Sequence, residues 1–156
     1  MALLGILVAL SIVLGKVLSI TVGAFRFSLE NLPVLLGGIW CGPVGGLAVG
    51  VVADLLGSLL VGFAINPIIT VGAGVVGLVA GLVYHGAEKT MKMDKRLLVT
   101  IYSAHFLGSV IIKSIGLLLY YGYPIGSILL RVPLYLGIGF VEFLILRSLV
   151  PRVRPL

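Results

Sequence analysis

The sequence predicts an all-α membrane protein, a bundle of six transmembrane helices forming a single integral membrane domain over residues 1–156. Three observations predict it. Of 156 residues, 60% are hydrophobic and only 10% charged, with a mean hydropathy of +1.28. A soluble domain carries about 25% charged residues, so this chain cannot cover a globular surface with polar groups, and a soluble enzyme is excluded. Second, six helices of about 20 residues use about 120 positions, which leaves room for short loops and no sizeable soluble domain. Third, the basic residues outside the apolar stretches fall into two clusters that an even number of spans places on one side.

The elements follow in order. An apolar stretch over 2–22, interrupted by Lys16, lacks a basic leader and a clear cleavage site and reads as a retained helix. A polar segment from Phe25 to Pro33 follows, and Pro33 suits the first turn of a second helix, over 33–41. The run Gly42-Pro43-Val44-Gly45-Gly46 signals a turn. A third helix covers 47–61, and Gly62 to Pro67 is a loop. The fourth covers 67–84, the fifth 97–121 and the sixth 125–149, with a turn at Gly122-Tyr123-Pro124. The second and third are short for a full span and are expected to be tilted or kinked at their glycines.

Charge orients the bundle. Lys89, Lys92, Lys95 and Arg96 lie between helices four and five, and Arg147, Arg152 and Arg154 follow or end helix six. Six spans put both clusters and both chain ends on one side, which the distribution of basic residues makes cytoplasmic. The net charge of +6 therefore needs no nucleic acid. Four cations remain: Lys16, Arg26, Lys113 and Arg131. All lie in the outer half of the membrane, within roughly 12 Å of the outer surface. Ionisable groups at such depth are costly and usually face an interior or a watery cavity. The alternative for Lys16 and Arg131 is snorkelling to the headgroups. Asp54 is expected to pair with Lys113 or Lys16, whereas Glu142 lies too deep to reach Arg131. The remaining positive excess points to an outward-open pocket for an anionic ligand.

Helical spacing supports a lined pocket. Arg131, Tyr135 and Glu142 share one face of helix six, and Lys113, Gly116 and Tyr120 share one of helix five. Tyr120, Tyr121 and Tyr123 form either an interfacial aromatic belt or a stacking surface for a planar ring. Phe25, Phe27 and Phe63 lie on the outer loops. Gly74, Gly77 and Gly81 read as a packing stripe on helix four. Gly5 and Ala9 on helix one either pack internally or form a docking face.

Other chemistry is not encoded. No phosphate-binding G-x-x-x-x-G-K-[ST] loop occurs, and no serine sits in a G-x-S-x-G turn. His85 and His105 have no convincing second metal ligand at helical spacing, and Cys41 is a lone cysteine. No metal and no cofactor is expected. At 156 residues the chain is short for the inverted repeats of a self-sufficient carrier. A binding subunit that draws energy from a partner fits better.

Three stretches resemble a known family: Arg26 to Gly57, Ile65 to Tyr84 and Lys113 to Pro133. In their small residues, Gly-Pro turn and mid-helix aspartate they resemble the substrate-binding S components of energy-coupling factor (ECF) vitamin transporters. The Arg26 loop and the tyrosine-rich segment before Arg131-Val132-Pro133 resemble the folate type. The resemblance implies six helices with cytoplasmic termini, an outer ligand pocket, and assembly with a transmembrane T subunit and two ATPases in a bacterial plasma membrane. It also implies delivery by toppling of the loaded subunit. The family's A-x-x-x-A docking motif falls on Gly5 and Ala9, with glycine replacing the first alanine. For folate, Arg26, Lys113 and Arg131 are expected to meet the glutamate tail. Glu30, Asp54 and Asn66 are the candidates for the pterin edge, and Tyr120 and Tyr123 for the ring face. Asp54 also reads as a structural partner for Lys113 or a turn. Riboflavin, pantothenate or a queuosine precursor are alternative ligands on the same frame, and a small lipid-modifying membrane enzyme is the runner-up outside it.

Overall fold

The computed structural model describes residues 2–22 and 25–153, with the side chains of Thr21, Val22, Phe25 and Arg26 outside that description. Arg154, expected in the cytoplasmic tail, also lies outside the described residues.

Helix α1 spans Ala2–Ile12 and widens into a π-helical turn over Val13–Val17, closed by the Leu18 N–H on Val13 O at 3.0 Å. The helix expected to reach residue 22 stops here. Strand β1 (Ile20–Val22) instead pairs antiparallel with β2 (Phe25–Phe27), with Ile20 opposite Phe27. Apart from Arg26, both strands are made of β-branched and aromatic residues, which favour an extended, paired backbone over a helix end.

Helix α2 runs over Asn31–Leu60 but bends sharply at Gly42 (φ 78°, ψ 179°). That left-handed φ suits glycine, and Pro43 cannot donate into the preceding turn. The bend folds one limb back on the other: a Cβ on Gly37 would lie 3.1 Å from Val49 and 3.4 Å from Gly46 Cα. The two short helices expected around a Gly-Pro turn are therefore these two limbs.

Helix α3 (Pro67–Gly86) packs flat on both limbs. Gly77 meets the backbone of Gly46, Gly81 meets Pro43 and Gly50 meets Ala73, each too close for a side chain. This accounts for the stripe Gly74, Gly77, Gly81: small residues allow backbone contact where apolar burial offers no advantage over lipid. Helix α4 (Met93–Ala104) passes through a π-helical stretch over His105–Ile112 into α5 (Lys113–Tyr121), which Gly122 ends at φ 63°. Short α6 (Ile125–Leu129) and α7 (Arg131–Leu149) close the bundle.

Four of the helical segments are long and apolar enough to cross a membrane: Asn31–Leu60, Pro67–Gly86, Met93–Tyr121 and Ile125–Leu149. The buried side chains divide into an apolar cluster toward one end of the bundle and a polar set toward the other. Leu7, Leu35, Ile39, Val76, Leu97, Ile101 and Leu146 form one core cluster. Leu3, Leu4 and Val150 pack on the same cluster, so both ends of the described chain meet at the apolar end of the bundle. There Arg96 stacks on Tyr84, 3.5 Å from the ring centre, and donates to Tyr84 O at 2.6 Å, while Arg147 pairs with Asp94 at 3.1 Å.

Candidate functional site

At the other end the rods part around a cavity of about 350 Å³. This lies in the usual range for small-molecule sites. Lys16 enters from the π turn after α1, and Glu30 from the residue before α2. Asp54 and Ser58 come from the second limb of α2, and Asn66 from the start of α3. Lys113, Leu117 and Tyr121 line one face of α5, and Arg131 and Tyr135 one face of α7.

Of the residues named from the sequence, Glu30, Asp54, Asn66, Lys113, Tyr123 and Arg131 line one cavity. Tyr120 does not line it and is 59% exposed; Tyr121 takes the place beside Lys113. The reason is helical phase. The face carrying Gly116 packs on Ile68 and Ile69 of α3, while the i, i+4, i+8 row through Lys113, Leu117 and Tyr121 faces the opening. Arg26 takes its place in β2 by its backbone, opposite Thr21, and its side chain lies outside the described residues.

Lys113 pairs with a carboxylate other than Asp54. Lys113, 5% exposed, donates to Glu30 Oε1 at 3.1 Å and to Asn31 Oδ1 at 3.4 Å, so its partner is Glu30 and not Asp54. Asp54 Oδ2 instead accepts from the Thr70 hydroxyl at 2.6 Å. Asn66 is held by its helix: Oδ1 accepts the N–H groups of Ile68 (3.0 Å) and Ile69 (3.3 Å), and Nδ2 donates to Gly116 O (3.3 Å). The acceptor role expected for Asn66 is thus taken by the α3 cap, and one amide N–H remains for the cavity. Lys16 lies over the Phe63 ring at 5.8 Å.

Arg131 stands apart. Its Nη2 donates to Ser109 O (3.1 Å) and Tyr135 Oη (3.3 Å), and no carboxylate lies in ion-pair range among the described residues. The π-helical stretch supplies the acceptor. There the Lys113 N–H bonds Gly108 O, five residues back, and Ser109 O accepts the guanidinium. Among the described residues the cavity wall carries three cations and two carboxylates.

Behind the cavity lies a buried row that sequence reasoning did not assemble. Asn31 Nδ2 meets Ser109 Oγ at 3.4 Å, Ser109 Oγ meets His105 Nδ1 at 3.3 Å, and His105 Nε2 meets Glu142 Oε2 at 2.5 Å. A signal existed. His105 and Glu142 stand at similar depth from the basic ends of neighbouring antiparallel helices.

Comparison with known proteins follows this geometry. The family model described as "ECF transporter, substrate-specific component" matches residues 1–150. No curated protein sequence matches the chain. Among solved structures, one described as FolT bound with folic acid superposes with a TM-score of 0.81 at 22% identity, covering 99% of this chain and 94% of that one. The S component of a bacterial ECF transporter superposes with a TM-score of 0.71 at 21% identity, covering 97% and 92%.

Proposed function

We infer the function from one premise: the chain belongs to the substrate-specific (S) components of ECF transporters. An S component is a multi-pass membrane protein that binds a vitamin substrate and works with an ECF module; it is not an enzyme. For this chain the reading is a folate-binding subunit of an ATP-driven importer in a bacterial plasma membrane. Residues 1–156 form one membrane domain of six spans, the two limbs of α2 counted separately. Both chain ends are cytoplasmic and the cavity opens outward. The basic residues at the apolar end of the bundle support that orientation.

One observation carries the ligand class: Arg131 lines the cavity with no carboxylate partner among the described residues. A ligand carboxylate completes it with a charge-assisted bond. Lys113 and Lys16 add positive potential, Tyr121, Tyr123 and Tyr135 offer ring faces, and Asp54 and Glu30 offer acceptors to pterin N–H groups. The likeness in fold to FolT supports folate among the vitamins. Transport follows from docking of the α1 face around Gly5 and Ala9 on a T subunit with two ATPases, and from toppling of the loaded subunit.

Calorimetric titration of the purified chain tests the ligand. Folate is expected to bind one per chain, with riboflavin, pantothenate and thiamine silent, and Arg131→Ala is expected to weaken folate by about tenfold or more. Binding of another vitamin in place of folate overturns the assignment.

A further inference from the structure

We propose that His105 and Glu142 are positioning residues that hold the cavity cations Lys113 and Arg131 in place. Neither lines the cavity, and both are buried, at 1% and 0% exposure. Each is joined to both cations. One donor direction satisfies the entire row: Lys113 Nζ to Asn31 Oδ1, Asn31 Nδ2 to Ser109 Oγ, the Ser109 hydroxyl to His105 Nδ1, and His105 Nε2–H to Glu142 Oε2. Glu142 is the terminal acceptor of a chain that starts at a cavity lysine. On the other side, the Tyr135 ring lies between the two groups. Its centroid is 5.2 Å from that of His105, and Arg131 sits 5.3 Å over its face and donates to its hydroxyl. Ser109 joins both branches, since its hydroxyl meets His105 and its carbonyl holds Arg131.

Stability alone does not account for the pair. A buried ionisable pair is often no more stable than apolar side chains of the same volume. Glu142 Oε1 is buried without a hydrogen-bond partner, an arrangement that costs rather than adds stability. What the pair provides is direction. Arg131 has rotamer freedom and two donor edges, and a fixed Tyr135 and Ser109 select one orientation. The Arg131 Nε, buried without a partner, stays on the side away from those acceptors.

The test uses two variants of the full chain: Glu142→Gln, and the double change His105→Leu with Glu142→Met. The second replaces the pair by apolar groups and removes the unpartnered Glu142 Oε1, so the fold is expected to persist. The first readout needs no ligand. Phenylglyoxal modification of individual arginines is followed by peptide mass spectrometry, with Arg96, 12% exposed at the far end of the bundle, as the internal control. Positioning predicts severalfold faster modification of Arg131 in both variants, with Arg96 unchanged. Equal acceleration at both arginines marks a general loosening and overturns the proposal, as does an unchanged Arg131. The second readout rests on the folate reading. Folate is expected to bind about tenfold more weakly to each variant, the worth of one charge-assisted bond, while a pterin lacking the glutamate tail binds as it does to the unmodified chain. Equal weakening of both ligands assigns the pair a structural role only and overturns positioning. If the unmodified chain binds neither, the folate reading fails and the labelling result alone decides on His105 and Glu142.

Discussion

Lys113 shows how a single residue can be half legible. Its depth in an apolar helix marks it as functional from the sequence, because an isolated ammonium in a bilayer is costly. Its partner could not be read, since Glu30 lies 83 residues away in the sequence and only the fold brings the two together. Truncating Lys113 is expected to affect both folding and binding: Glu30, 29% exposed, loses its ion pair with Lys113, and the cavity wall loses one positive charge. A double-mutant cycle with Lys113→Ala and Glu30→Ala is expected to give a coupling of about 2 kcal/mol in thermal unfolding. Additive effects would place the pair at the surface in energetic terms. Lys113 also depends on a neighbour that carries no charge. A Cβ on Gly72 would lie 2.7 Å from Lys113 Cγ and 2.9 Å from Gly108 O. Gly72→Ala is therefore expected to push the lysine stem off Glu30 and weaken folate binding several-fold, read by the same titration. Asn66 was legible in a different sense. An asparagine directly before a helix-starting proline is a capping signal, and that structural role was available beside the ligand role. Asn66→Ala is expected to cost about 1 kcal/mol through the lost cap.

At the scale of elements, hydropathy misjudged the end of the first helix. The Gly42-Pro43 turn was readable because two residue types with opposite backbone demands stand side by side, and the structure bends there. The end of the first helix was not, because Ile20, Thr21 and Val22 are as apolar as a span and differ only in their preference for extended backbone. The hydropathy average carries no such information. The π-helical stretch over His105–Ile112 was also invisible, since its composition is that of any membrane helix. Yet that stretch places Ser109 O against Arg131 and thereby shapes the site. The bend at Gly42 makes a separable prediction. A Cβ there meets nothing within 4 Å, so Gly42→Ala tests backbone conformation alone. It is expected to lower stability by about 1–2 kcal/mol in thermal unfolding, with folate affinity per folded molecule unchanged. Gly46→Leu, by contrast, drives a side chain into the Gly77 backbone and is expected to part α2 from α3 and abolish folding.

The whole molecule is polar at one end and closed at the other, and this division bears on how a ligand crosses. Below the cavity the bundle is filled by Leu35, Val76, Leu97 and Leu146, each fully buried, and the helix pair α2 and α3 is in backbone contact. Opening a path through that half would separate close-packed helices and expose core side chains. Rotation of the entire body in the bilayer leaves every one of those contacts intact and moves the cavity instead. The proposed rotation needs an external handle, and the exposed face of α1 is the candidate. A Cβ on Gly5 meets no atom within 4 Å, Ala9 is exposed, and Ile6 and Leu10 beside them are 62% and 40% exposed. The internal-packing reading of Gly5 and Ala9 is thus set aside by geometry, and the outward face is smooth enough for a helix of a partner to lie close. Leucines at both positions project into open space, so the bundle and its cavity are expected to form normally. Cells expressing Gly5→Leu with Ala9→Leu should then lose folate uptake while the purified variant binds folate with unaltered affinity. Uptake that survives the double change would move the docking face elsewhere. Lost binding would show that α1 shapes the cavity through more than Lys16.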